Sequence, residues 1–292
     1  VQLEMLRSIP ALEKAEMIRV GYAIEYDFVP PSQTGASLES RVVPGLFLAG
    51  QVNGTTGYEE AAGQGLMAGI NAANLVHGRP ALVLRRDQAY LGVMIDDMVT
   101  RELTEPYRLF TSRAEFRLLL RQDNADLRLT HVGHQAGLID RGRYEAVEAK
   151  RQAVAAEIRR LGRTHFVPPG EQRSTSGAAF LRRPETAYNT LLSLGIGAAD
   201  LARDARDQVE IEVKYAGYIE MQAKEIDRVR RLEEWQVPPD VDYAALSGLR
   251  FEAGQKLNRF RPVTLGQASR VDGVTPADVA VLMVHLEKAR RR

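Results

Sequence analysis

Up to Pro80 the chain mixes short apolar runs with breaks rich in glycine and proline. Beyond it, apolar residues recur at helical spacing and strand signals nearly vanish. Residues 3–9 and 12–20 are short and fit helix or strand equally. Residues 22–29, rich in Tyr, Ile, Phe and Val and closed by Pro30-Pro31, predict an extended segment. Residues 46–49 predict a short buried strand after the Pro44-Gly45 turn. A glycine-rich loop then runs into a helix from Glu59 to about Val76, stopped by His77-Gly78-Arg79-Pro80. Further helices are predicted over 85–102, 112–121, 141–162, 184–194, 209–234 and 276–290. Ser112-Arg113-Ala114-Glu115 has capping-box spacing, which sets the second of these at Ser112. Thr275 and Pro276 read as the N-cap and first residue of the last. The 163–183 stretch, with Pro168-Pro169-Gly170 and 174–177, reads as a mobile loop.

The expected fold class is α+β, an incomplete α/β region followed by an all-α region. Trp235 to Pro239 separates a long polar helix from a compact segment of its own. Residues 257, 265, 271, 274, 279, 282, 283 and 286 supply the apolar core of that last segment. Its turns into helices resemble a helix-hairpin-helix arrangement.

Composition narrows the class without naming a partner. The chain has 292 residues, 45% hydrophobic and 26% charged, which excludes a disordered or collagen-like chain. No apolar run reaches the roughly 20 residues of a membrane helix, and the first ten residues do not have a signal-peptide layout. A cytoplasmic protein with no membrane partner is the expectation. Net charge is +1, but 33 of the 39 basic residues are Arg, and they are unevenly spread. Residues 1–84 carry 5 basic and 8 acidic side chains, whereas 150–183 carry 8 basic and 2 acidic. Arginine suits phosphate recognition, and a compositional bias gives the same excess. His131, His134 and His165 lack zinc spacing, and there is no cysteine, so no metal site is expected.

The segment carrying chemistry is GLFLAGQVNGTTGYEEAAGQGLMAGINAA, residues 45–73. A strand, a glycine turn and a helix start present backbone N–H groups suited to phosphates or a polar ring edge. The small residues 61, 62, 65, 68, 69, 72 and 73 would let this helix pack closely on a sheet or a cofactor. A ligand-free strand-turn-helix reads equally well from glycine content alone.

A second candidate lies downstream. Arg113, Arg117 and Arg121 recur at i, i+4 and i+8, so a helix there would carry them on one face, with Arg108 just upstream. With Tyr107 and Phe110 beside it, such a ridge suits RNA phosphate and base stacking. The alternative is a structural network with Glu115, Asp123 or Asp126. The arginines at 159, 160, 163, 173, 182 and 183 could clamp an RNA stem or form a solvated, flexible surface, and the second reading is slightly favoured.

Together with GYAIEYDFVPP (21–31), EPYRLFTSRAEFRLLLRQDNADLRLT (105–130), VEIEVKYAGYI (209–219) and LGQASRVDGVTPADVAVLMVHLEK (265–288), the 45–73 block resembles the MnmG family, also called GidA. That resemblance covers essentially the whole chain. It implies an FAD-dependent tRNA enzyme that, with the GTPase MnmE, installs a (carboxymethyl)aminomethyl group at C5 of the wobble uridine. It also implies NADH as reductant, a folate-derived one-carbon donor and a homodimer in the complete enzyme. Gln51 would lie against FAD, and Asn53, Gly54, Thr55, Thr56, Gly57, Tyr58 and Glu59 would wall the isoalloxazine side. Arg108, Arg113, Arg117 and Arg121 would face tRNA. The family's Rossmann GxGxxG and its cysteine near the substrate are absent here, so the resemblance implies a C-terminal half, inactive alone, with catalytic residues unassigned. Its domains would be a partial FAD-binding α/β domain (1–82), a helical tRNA-binding domain (83–238) and a compact helical module for partner docking (239–292). The rival readings are a non-enzymatic tRNA-binding or adaptor fragment without flavin, and the folate- and FAD-dependent tRNA uridine methyltransferase relative. The long helical tail argues against that relative.

Overall fold

The computed structural model describes residues 1–290. Its elements run α1 (Gln2–Arg7), α2 (Tyr58–Val76), α3 (Tyr90–Thr100), α4 (Ala125–Gln135), α5 (Arg141–Arg163), β1 (His165–Phe166), β2 (Thr175–Ser176), α6 (Gly177–Leu181), α7 (Tyr188–Ser193), α8 (Arg203–Glu233), α9 (Phe251–Phe260), α10 (Leu265–Arg270) and α11 (Pro276–Arg290). Among the described residues no helix is long and apolar enough to cross a membrane.

The first part is held by loops more than by strands. The strand expected at 46–49 is reduced to a bridge between Glu39 and Phe47, with the Leu48 amide donating to Leu38 O at 3.0 Å. Only the 38–40 edge pairs with it, and a ladder with one partner stays short. Residues 22–29 form no regular element, and 22–28 are exposed. They are tied down where the Val29 amide donates to Val52 O at 2.8 Å. Helix α2 replaces the missing sheet as the organiser of this part. It buries a largely polar stripe, Glu60, Gln64, Met67, Ala68, Asn71 and Asn74. Asn71 shows why: its Nδ2 donates to Ser37 O and Leu82 O, both at 3.0 Å, and its Oδ1 accepts from the Leu82 amide at 2.7 Å. One buried side chain thus fastens two loops to the helix, satisfying backbone groups that would otherwise be costly to bury. The opposite face, expected to pack on a sheet or cofactor, is open at Gly65 and Gly69, where an added Cβ would meet nothing within 4 Å. Close packing falls instead at Gly63, whose Cβ would lie 2.4 Å from Leu91 of α3.

No helix forms over 112–121. A single 3-10 turn (Thr111–Arg113) is followed by turns, and no side-chain cap bond is made there. The carboxylate of Glu115, cast as a capping partner, accepts instead from Arg86 (Nη2 to Oε1, 2.8 Å). Losing the helix dissolves the i, i+4, i+8 ridge. The expected mobile loop at 163–183 is also partly ordered. It holds β1 and β2, antiparallel with His165 opposite Ser176, and α6, whose Ser176 cap accepts from the Ala179 amide at 3.2 Å.

Among the described residues three larger apolar cores follow one another along the chain, with a small fourth cluster of Val93, Ala114 and Leu120 beside the first. The first joins Leu38, Met67, Met94, Met98 and Tyr107; the second joins Val154, Leu161, Leu181, Leu191 and Val209. The third joins Val237, Tyr243, Leu257, Phe260, Leu265 and Leu282. Helix α8 runs from the second core (Val209, Val213) to the third (Leu232). Between them, Tyr215, Tyr218 and Met221 are exposed. The segment expected to separate the last module is woven into it: Val237 and Val241 are buried on either side of Pro238-Pro239. The Leu265 amide also donates to Trp235 O at 2.8 Å.

The expected N-cap of α11 is present as a reciprocal box. Asp278 accepts from the Thr275 amide (2.8 Å) and hydroxyl (2.6 Å), and from Arg250 Nη2 at 2.7 Å. Arg250 first, then Thr275, outweighs burial and holds the Asp278 carboxyl well below the usual carboxylate range. A depressed folded-state pKa gives stability that is complete above the unfolded value, about 3.9, and is lost as pH falls through the folded one. The urea midpoint of the chain should therefore drop below about pH 4, and Asp278→Asn should flatten part of that drop. Parallel curves for both proteins would refute the assignment.

Candidate functional site

The glycine turn is built by two left-handed residues, Gly50 (φ +76°) and Gly54 (φ +84°), at the ends of a 3-10 turn. The Thr55 amide closes it by donating to Gly50 O at 3.1 Å. A side chain at Gly54 would be strained in φ and would sit 3.1 Å from Pro31 Cγ. The turn is also stitched to the downstream segment, because the Tyr107 amide donates to Gly54 O at 2.8 Å. At Gly57 an added Cβ would lie 1.9 Å from Glu60 Oε2, so the approach of Glu60 demands glycine there.

Glu60 is buried at the first turn of α2, where the helix dipole favours a carboxylate. Its Oε1 accepts from Arg108 Nε (3.1 Å) and the Leu109 amide (3.0 Å). Burial pushes its pKa up, but the amides of Leu109 and of Glu60 itself, with Arg108, outweigh that and leave it lowered.

Of the eight cofactor candidates, the structure brings Gln51, Gly54 and Thr56 together around a cavity of about 250 Å³. Its other walls are the exposed Ile24, Tyr26 and Phe28 on the 22–29 segment and the 103–106 loop. Gln51 spans to that segment, with Nε2 donating to Asp27 O at 2.9 Å. Asn53 and Thr55 are fully buried and turn toward Gln64. Tyr58 and Glu59 are exposed, outside the cavity lining. The cavity is below the roughly 300–1,000 Å³ that encloses a drug-sized ligand. Its lining, the Gln51 amide, the Thr56 and Thr104 hydroxyls, the Glu105 carboxylate and the aromatic Tyr26 and Phe28, has room for one planar ring system and not for a whole dinucleotide.

The four arginine candidates part company. Arg108 is half exposed on Glu60. Arg113 lies 4.6 Å over the Tyr107 ring, with Nη1 3.9 Å from the buried Asp97. Arg121 is turned inward onto Asp123 (3.1 Å). Arg117 is exposed, with no partner among the described residues. Sequence reasoning missed the group that organises this region, a buried ion cluster. Arg86 Nη1 donates to Asp97 (2.6 Å) and Asp96 (3.1 Å), and Arg270 Nε donates to Asp96 (2.6 Å). The adjacent aspartates inside an apolar helix, at 96–97, were its one visible signal. Gln64 was missed too, although it falls on the helical stripe of Glu60 and Asn71.

Fold and site together define a protein class in which a glycine turn beside a small cavity precedes a mostly helical frame. Comparison with known proteins makes the class specific. Residues 1–80 match the family described as glucose inhibited division protein A. Residues 141–223 match the tRNA modifying enzyme MnmG/GidA C-terminal helical domain, and 225–292 its C-terminal helical bundle. The chain is 53% identical over 308 aligned residues to the tRNA uridine 5-carboxymethylaminomethyl modification enzyme MnmG of Roseiflexus castenholzii, covering 100% of this chain and 45% of that protein. It is 51% identical to the Listeria welshimeri enzyme, covering 99% of this chain and 48% of that one. The Aquifex aeolicus GidA structure (crystal form II) superposes with a TM-score of 0.84 at 44% identity, over 97% of this chain and 47% of its own. The chain belongs to the MnmG/GidA family and matches the C-terminal part of its relatives, about half their length.

Proposed function

We propose that this chain supplies one wall of an FAD site and the RNA- and partner-facing helices of a tRNA uridine-modifying enzyme acting in the cytoplasm. The observation that carries the reading is the meeting of Gln51, Gly54 and Thr56 with Tyr26 and Phe28 around a cavity sized for one ring system. Bound FAD would supply redox chemistry there, with NADH as reductant and a folate as one-carbon source in the complete enzyme. Gln51 would offer an amide to the ring edge, Thr56 a hydroxyl, and Tyr26 and Phe28 would exclude water. Asn53, Gly57, Tyr58 and Glu59 would act through the turn and its helix start, and Thr55 through its bond to Gln64. RNA contact would fall first to Arg117, which is exposed, and then to Arg108 and Arg113, each already held by its own partners; Arg121 serves the fold. Residues 1–82, 83–238 and 239–292 would divide these roles, the last, with Leu232, Trp235 and Val237 packed into its core, docking the GTPase MnmE, within a homodimer.

The test is a titration followed by NMR. Lumiflavin, the bare isoalloxazine, should shift Gln51 and Thr56 at millimolar concentration, whereas adenosine monophosphate should not. Binding of whole FAD should be weak, since the chain has no GxGxxG turn for its pyrophosphate. The same sample should bind tRNA with affinity falling steeply with salt, and Arg117→Ala should reduce that salt slope by about one. Lumiflavin shifts spread over the surface, or tRNA binding indifferent to salt, would refute the reading. The adaptor alternative predicts tRNA binding with no lumiflavin response.

A further inference from the structure

Gln64 is the most completely used polar side chain near the cavity, although it does not line it. It is fully buried on α2, 14 residues after the turn begins. Its Oε1 accepts from the Gly50 amide at 2.8 Å and from Asn53 Nδ2 at 3.1 Å. Its Nε2 donates to Thr55 Oγ1 at 3.2 Å and lies 3.1 Å from Met98 Sδ on α3. One amide therefore grips the first residue of the turn, its middle and its last, and braces them on a second helix. The four contacts fix the orientation of the amide, since swapping oxygen and nitrogen would set donor against donor at Gly50.

The consequence is directional. With Asn53 and Thr55 drawn inward, the residues between and after them, Gly54 and Thr56, are left on the cavity side, as is Gln51. A space-filling side chain could pack α2 against α3 but could not choose which turn residues face in. We propose that Gln64 is a positioning residue of the cofactor site, holding the 50–55 turn in the arrangement that presents Gln51, Gly54 and Thr56 to the cavity. This rests on reading that cavity as the flavin ring site, and the experiment separates the two.

The whole chain is compared with its Gln64→Met and Gln64→Glu forms by NMR. Methionine keeps the volume and removes both kinds of bond. Exchange of the Gly50 amide should become roughly tenfold faster, and the Gln51 side-chain amide resonances, which report its bond to Asp27, should move. Glutamate keeps an acceptor for Gly50 and Asn53, so Gly50 protection should be rescued. Unchanged exchange at Val209 and Val213 shows that the second core is intact. Lumiflavin should shift Gln51 and Thr56 in the wild type and fail to do so in Gln64→Met. The proposal is overturned if Gly50 and Gln51 are unaffected by methionine, or if glutamate loses as much protection as methionine. A wild-type chain whose Gln51 and Thr56 ignore lumiflavin overturns the cofactor assignment, whatever Gly50 does.

Discussion

Replacing Arg86 with methionine is expected to lower the unfolding free energy by about 3–5 kcal/mol, the usual cost of stripping one partner from a buried ion pair. Arg86 is 6% exposed and donates to three carboxylates, Asp96, Asp97 and Glu115, and to two backbone carbonyls, Val93 O and Arg113 O. Burial lowers its pKa, but Asp97 and Asp96 more than compensate and raise it, so it stays charged. Without it, Asp97 keeps the Tyr107 hydroxyl at 2.9 Å, Arg101 at 3.4 Å and the more distant Arg113 at 3.9 Å, but loses its shortest contact, and it is a carboxylate with almost no exposure. Asp97→Leu alone should be similarly costly, because Arg86 then loses its shortest contact. The double variant should recover part of the loss, since apolar replacement of a whole buried pair is often neutral. Urea unfolding of the three variants measures this. Additive losses would mean that the two groups are not coupled, and a change below about 1 kcal/mol for Arg86→Met would mean that the cluster is solvated.

That cluster explains which parts of the fold could be read in the chain and which could not. The glycine-rich turn was legible because what it needs is local: Gly50 and Gly54 take a left-handed backbone, and Gly57 clears Glu60 three residues on. The start and cap of α11 were legible for the same reason, with Thr275 and Asp278 meeting within one turn. The helix expected at 112–121 failed because its capping partner Glu115 is taken by Arg86, 29 residues away. Tertiary demand overrode local preference. The strand at 46–49 failed for want of a second edge, which no local pattern reveals. The cofactor candidates came from a resemblance that fixes a block and not the direction of each side chain. Only the geometry sorts Gln51 and Thr56, which meet the cavity, from Asn53 and Thr55, which meet Gln64.

Cutting the chain after Asp242 is expected to do more than remove a detachable module. The third core takes Leu232, Trp235 and Val237 from the near side of that cut and Leu257, Leu265 and Leu282 from the far side. Deleting 243–292 would bare those three residues. It would also remove Arg270, which pairs with Asp96 of α3 and at 2.6 Å with Glu233 of α8. Asp96 would then rely on Arg86 alone, so damage should reach the first core through the same ion cluster. The shortened chain should show a frayed end of α8, read as fast amide exchange over 226–237, and a lower thermal midpoint for what remains. The better boundary lies in the exposed middle of α8, near Tyr218 and Met221, where neither core reaches. A piece spanning 225–292 keeps Leu232 to Leu286 together and should fold on its own. At about 70 residues its stability should be modest. Circular dichroism with a cooperative melt for 225–292, beside a destabilised 1–242, is the expected pair of results. If the proposed docking role is right, 225–292 alone should also capture MnmE while 1–242 should not. A fully stable 1–242 would show that the last 50 residues pack as an independent unit, and an unfolded 225–292 would show that the third core needs α3 and Asp96 to form.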